Sequence, residues 1–387
     1  MMRTRYFFIA RGAAIPLTAA VVAMVIALLQ PVPAARSATP LPSATATEAP
    51  TPPLTVYPRA GDPNPSNVKP QGPGLLLMGG GDTVDASFRW MHDVITGGSA
   101  IHAGDIVVLR ASGDNAYDDY LIKIARFNSA QSIKLGPTAT AADLDKAAAY
   151  VDRAQGVFFA GGDQANYARW KGSSLIAAVQ RVYDRGGVVG GTSAGLAILG
   201  EYAYDSVAAD AAGADVEVTT KNAVADPAEP IISFTHDLLV FPPLRNAITD
   251  THFKQRDRLG RLTVFLARIR EKHPKQIVIG IGVDAASALV IDKHNIARLL
   301  LQGTGGSALF LRGGQPEPIQ SGKPLVFRDI EAVLLDQDGQ SYDLTARCGE
   351  ALHYKLTVDG RRTPIYHPTD PWHPPASTHK SHCEASE

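Results

Sequence analysis

Short, continuously apolar runs alternate with amphipathic stretches through the middle of this chain. Gly74-Leu75-Leu76-Leu77-Met78, Asp105-Ile106-Val107-Val108-Leu109, Val157-Phe158-Phe159-Ala160 and Val188-Val189 carry no polar alternation, the pattern of strands covered on both faces. Between them, Ala141 to Gln155 reads as a helix, with Thr140 and Asp143 spaced to cap its first turn. Ser173 to Arg185 reads as another, placing Leu175, Ile176, Val179, Val182 and Tyr183 on one face. Gly156 and Gly186 stand where helices stop. Strands alternating with helices predict an α/β domain built on a parallel sheet with helices on both faces. Chemistry in such sheets gathers at the carboxyl ends of the strands. Three glycine-rich segments fall there: Gly79-Gly80-Gly81-Asp82, Gly161-Gly162 and Gly190 to Gly195.

The period changes near Ser287. Ala288 to Ile291, Ala297 to Leu301, Ala308 to Leu311 and Ala332 to Leu335 are short apolar runs separated by Gly-containing turns with no helix between them. They predict a C-terminal antiparallel β extension packed on the main sheet. At the other end, Arg3, Arg5 and Arg11 precede an apolar run from Ala13 to Leu29 and the small residues Pro31 to Ala35. That is the layout of a secretory signal peptide, with an uncleaved anchor as the alternative. The expected organisation is a signal peptide over 1–35, a disordered Pro/Thr/Ser/Ala-rich linker over 36–73, the α/β domain over 74–361 and a disordered tail over 362–387. The chain is then exported, periplasmic or extracellular, and free of the membrane after cleavage.

Lys plus Arg number 37 against 38 Asp plus Glu, a net charge of -1. This balance argues against a nucleic-acid partner, so attraction for a charged ligand must be local. With 45% hydrophobic and 19% charged residues, the composition is globular. Two cysteines, Cys348 and Cys383, provide no disulfide framework, although a single bridge is open to them in an oxidising compartment. His367, His373, His379, His382 and Cys383 in the tail fit no standard zinc spacing. Neither a metal nor an organic cofactor is implied, and homodimerisation is left open.

The candidate chemistry centres on Gly191-Thr192-Ser193-Ala194-Gly195. A strand precedes this Gly-x-Ser-x-Gly and a helix-compatible stretch follows it, the context of a nucleophilic serine. The flanking glycines suit a strand-to-helix turn too sharp for a Cβ, and the turn aims the Ala194 N–H where an oxyanion would form. A serine needs a base. His252, in Asp250-Thr251-His252-Phe253, is the candidate, although pattern alone does not separate it from His236.

Gly161-Gly162-Asp163-Gln164, Gly190 to Gly195, and Asp250-Thr251-His252-Phe253 with Arg256, Arg258, Gly260, Arg261 and Leu262 together resemble the cyanophycinases, peptidase family S51. These are serine exopeptidases related to the aspartyl dipeptidases, built on a class I glutamine amidotransferase-like, flavodoxin-like α/β fold. The resemblance covers about residues 74 to 300. It implies Ser193 as nucleophile, His252 as base, and the N–H groups of Gly162 and Ala194 as oxyanion hole. It also implies a substrate pocket of Gln164, Asp250, Thr251, Arg256, Arg258 and Arg261. The implied substrate is a peptide linked through an aspartate β-carboxyl, such as cyanophycin. If the segment after His252 is helical, Arg256 shares the His252 face, while Arg261 points away and equally suits a buried ion pair. Two positions depart from the family: Thr251 stands where it has Gln, and Ala285, in Gly280-Ile281-Gly282-Val283-Asp284-Ala285, stands where it has the triad Glu. Asp284 and Asp205 are the candidate substitutes for that acid. An active peptidase, a non-catalytic relative that binds acidic or β-aspartyl peptides, and a lipase-like esterase are the three readings. The arginines and the lack of an apolar lid weigh against the last.

Overall fold

The computed structural model describes residues 52–213 and 217–375, so the expected signal peptide and residues 36–51 lie outside the described residues. Two sheets organise them, one 11-stranded and one 8-stranded. At the centre of the larger sheet, parallel strands run in the order Ser129–Leu135, Asp105–Arg110, Gly156–Phe159, Val188–Thr192, Gly74–Met78. Both faces are covered. Leu75, Leu77, Val107, Leu109, Val157, Phe159 and Val189 pack on one side with Leu175, Val179 and Val182 of the helix Ser174–Asp184. Leu76, Met78, Val108 and Phe158 pack on the other with Phe88 and Met91 of the helix Asp85–Thr96. Successive strand residues alternate between the two cores, which is why these runs carry no polar positions. The helix expected from Ala141 ends earlier, at Val151, and its Thr140–Asp143 capping box is formed in both directions.

The second sheet sets Ala247–Asp250 parallel to Tyr202–Tyr204 and Ile279–Val283. It continues antiparallel through Ala308–Pro316, Val326–Leu335 and Leu352–Asp359. The strands after Ser287 therefore do not form one extension on the main sheet. Ser287–Ile291 and Ile296–Leu301 extend the main sheet beyond Gly74–Met78, whereas Ala308–Pro316 joins the second sheet. The crossing lies in Gly303 to Ser307, where Gly303 and Gly305 hold φ of 96° and 81°, a backbone that β-branched or bulky residues rarely adopt.

Two boundaries differ from the expected organisation. Within the stretch assigned to a linker, Leu54–Val56 pairs with Ser129–Leu135, and Arg59 reaches Asp105 at 2.8 Å. The parallel sheet ends in a strand with an open edge there, and these residues cover it. Within the stretch assigned to the tail, Tyr366–His367 pairs with Leu352–Asp359, and Trp372 meets the Phe253 ring edge-on at 5.8 Å between centroids. Among the described residues, no helix is long and apolar enough to cross a membrane.

Candidate active site

Strand register brings the glycine-rich ends together. Val188–Thr192 lies between Gly156–Phe159 and Gly74–Met78, with Gly191 opposite Phe159 and Thr192 opposite Met78. Ser193 follows at once with φ 52° and ψ -121°, its N–H donating to the Met78 carbonyl at 3.2 Å. The turn is too tight for side chains on either flank. A Cβ on Gly191 would lie 2.3 Å from the Gly195 carbonyl oxygen, and one on Gly195 would lie 2.2 Å from that of Phe159. The Gly161-Gly162 loop borders the serine: a Cβ on Gly161 would sit 4.0 Å from Ser193 Oγ, while Gly162 holds φ 149°. Ala194 opens the short helix Ala194–Ala197 directly after the serine.

The histidine arrives from the second sheet. Asp250 ends the strand Ala247–Asp250, and His252 follows with φ 45°. Its N–H donates to the Gly79 carbonyl at 2.8 Å, tying it to the loop after Gly74–Met78. Phe253 is buried beneath, its ring over Gly282, where a Cβ would approach to 2.4 Å. Gly80 lies against the imidazole; a Cβ there would lie 2.3 Å from Cε1. Held this way, His252 Nε2 stands 2.9 Å from Ser193 Oγ. Burial pushes the imidazole pKa down to about 4, helped by the charges of Arg256 and then Arg258 and opposed by a hydrogen bond to Gln255 and by Asp250. The ring is therefore neutral near pH 7, the form that can accept a proton.

The candidate acids do not reach this imidazole. The Asp284 carboxylate accepts from the Lys254 N–H and, at 2.9 Å, from Ser307 Oγ. Asp284 follows the end of the strand Ile279–Val283, and Ala285 lies in the turn after it. Asp205 accepts from Ser233 Oγ at 2.5 Å, Thr235 Oγ1 at 2.8 Å and the Val207 N–H at 3.0 Å, which fixes the loop after Tyr202–Tyr204. His252 Nδ1 instead faces Gln255 Oε1 at 3.4 Å.

The expected pocket residues separate into two groups. Gln164, Arg256, Arg258 and Arg261 line a cavity of 390 Å³ together with Tyr204, Asp210 and Glu217. Two of its lining residues follow the site closely along the chain, Gln164 two residues beyond Gly162 and Arg256 four beyond His252. Asp250 and Thr251 are not part of its lining. Asp250, 2% exposed, accepts from Arg261 Nε at 2.8 Å and Nη2 at 2.5 Å. The Thr251 hydroxyl and carbonyl both accept from Arg258 Nη1 at 3.0 Å. These two residues hold arginines rather than lining the cavity, a correction of their expected role. Arg258 also pairs with Glu217 at 3.0 Å, yet its buried Nε has no partner. Arg256 is exposed and makes no ion pair among the described residues. His252 to Asp257 form turns and helix begins only at Leu259, so the expected helical face shared by His252 and Arg256 is absent. Glu217 and Gln255 carried no sequence signal of their own, although Gln255 lies only three positions after the histidine. His236, the other candidate base, lies between Glu201 and Asp237 at 3.1 and 2.9 Å.

No family model matches the chain. The cyanophycinase of Synechococcus elongatus is 26% identical over 165 residues, 42% of this chain and 44% of that protein. The cyanophycinase of Trichormus variabilis (strain ATCC 29413 / PCC 7937) is 27% identical over 158 residues, 40% of this chain and 45% of that protein. The chain thus matches less than half the length of these relatives. Among solved structures, a peptidase from an acI-B1 Actinobacterium covers 72% of this chain and 98% of its own, with TM-score 0.42 and 13% identity. The chain is similar in sequence to the cyanophycinases, over about two fifths of its length.

Proposed function

We propose that this chain is an exported serine exopeptidase that hydrolyses β-aspartyl-linked peptides such as cyanophycin, on a class I glutamine amidotransferase-like, flavodoxin-like scaffold. The observation that carries the reading is the 2.9 Å approach of His252 Nε2 to Ser193 Oγ, at the carboxyl ends of the central strands. Ser193 Oγ attacks the scissile carbonyl as its proton passes to Nε2. The N–H groups of Gly162 and Ala194 hold the resulting oxyanion. His252 returns the proton to the leaving amine, leaving an acyl-serine; it then deprotonates a water that attacks the ester and frees Ser193. Arg256, exposed on the cavity wall, suits an anionic group of the substrate, and Glu217 and Asp210 give the same cavity an acidic side.

The second reading, a relative that binds such peptides without turnover, draws on Ala285. Among the described residues no carboxylate is hydrogen-bonded to His252 Nδ1. Incubation of the purified protein with cyanophycin and with β-Asp-Arg-type peptides, alongside Ser193→Ala, separates the two. Product released by the parent and not by Ser193→Ala supports the peptidase. Binding of cyanophycin without release of any product supports the second reading.

A further inference from the structure

We propose that Gln255 occupies the place of the third triad member, orienting His252 through a neutral amide where a carboxylate would be expected. The inference rests on the serine–histidine reading above. With Nε2 facing the Ser193 hydroxyl, the hydrogen of the neutral ring sits on Nδ1, and Gln255 Oε1 lies 3.4 Å from it. The length suits a catalytic contact that tightens when substrate arrives. The turn that follows the histidine makes the approach possible. Arg256 N–H donates to the His252 carbonyl at 2.9 Å and Arg258 N–H to the Phe253 carbonyl at 2.8 Å, which folds Gln255 back toward the ring. The candidate acids are engaged elsewhere: Ala285 has no acceptor on its side chain, Asp284 is held by Lys254 and Ser307, and Asp205 by Ser233 and Thr235.

An amide acceptor fixes the tautomer and the ring plane, as a carboxylate does, but leaves the imidazolium without a counter-charge. The charged groups facing the ring are Arg256 and Arg258, which disfavour the cation, and Asp250, which opposes them. Gly80, packed against the ring, contributes only backbone. Gln255 is thus a positioning residue that acts through His252.

The test is NMR of the full chain labelled with 15N-histidine, with His252→Gln identifying the ring signals of His252. The parent is expected to show the Nδ1–H tautomer. Gln255→Glu is expected to raise the protonation midpoint of His252 by about one unit or more, the effect of an adjacent carboxylate. Gln255→Ala is expected to shift the ring toward the Nε2–H tautomer and to slow labelling of Ser193 by a fluorophosphonate about ten-fold, the worth of one neutral hydrogen bond. A surface glutamine with no hold on the ring would leave tautomer and midpoint unchanged in both variants, and that result overturns the proposal. If Ser193 resists labelling in every form while the His252 signals respond as expected, the hydrolase reading fails and the link between Gln255 and His252 stands.

Discussion

Ser193 and His252 meet at 2.9 Å across two different sheets, and both hold a positive φ, 52° and 45°. Neither is glycine, so each conformation carries a cost of order 1–3 kcal/mol that the surrounding packing must offset. The packing is visible: Gly191 and Gly195 make room for one turn, and Gly80 and Gly282 make room for the other. The shared loop after Gly74–Met78 joins them, since Met78 accepts from Ser193 and Gly79 accepts from His252. The pair is a property of how the two sheets join rather than of either alone.

Gly80→Ala tests that joint. Its Cβ would lie 2.3 Å from Cε1 and 2.4 Å from Nε2 of His252, so the ring must move. A displacement of about 1 Å predicts a loss of about 100-fold in kcat, read by turnover of cyanophycin.

Asp250→Ala is predicted to destabilise the fold rather than merely weaken substrate binding. Arg261, 3% exposed, would lose both oxygens of the Asp250 carboxylate it donates to, and an uncompensated buried charge costs about 3–5 kcal/mol. Denaturant unfolding at fixed pH reads the change.

Arg256→Ala is predicted to leave the folding midpoint within about 0.5 kcal/mol, as an exposed residue without an ion pair should. Its loss should raise KM for an acidic peptide about ten-fold with kcat little changed, because uniform binding is removed. Steady-state kinetics separates the two parameters.

The pH profile follows from the depressed imidazole. With a folded-state pKa of about 4 against an ordinary 6.5, His252 remains a base well below neutrality, so kcat/KM is predicted to hold from pH 7 to about 5 and fall with a midpoint near 4. Between the two values the unfolded chain binds the proton and the folded chain does not. Stability is therefore fully present above the unfolded value and declines as pH drops through the window. His252→Gln should remove that share of the acid sensitivity, measured by thermal unfolding from pH 4 to 7.

The parallel sheet was legible because buried strands such as Gly74–Met78 and Val188–Thr192 are apolar at every position, and the serine was legible because its turn demands two glycines. The second sheet was not. Ala247–Asp250 and Ile279–Val283 are short, and their pairing is a long-range event that no local pattern marks. The split of the later strands between two sheets escaped for the same reason. Asp250 and Thr251 lie next to the histidine in sequence, but their side chains are taken by Arg261 and Arg258, which lie 11 and 7 positions further along, a pairing that no local pattern marks. The stretch Leu54 to Gly72 looked too poor in apolar residues to order itself; it is ordered by an edge that the rest of the domain supplies.

Mass spectrometry of the protein after treatment with a fluorophosphonate tests the serine–histidine pair most directly. The account predicts a single adduct on Ser193, lost in Ser193→Ala and strongly slowed in His252→Ala. An unmodified Ser193, or an adduct that forms as fast without the imidazole as with it, would contradict the account.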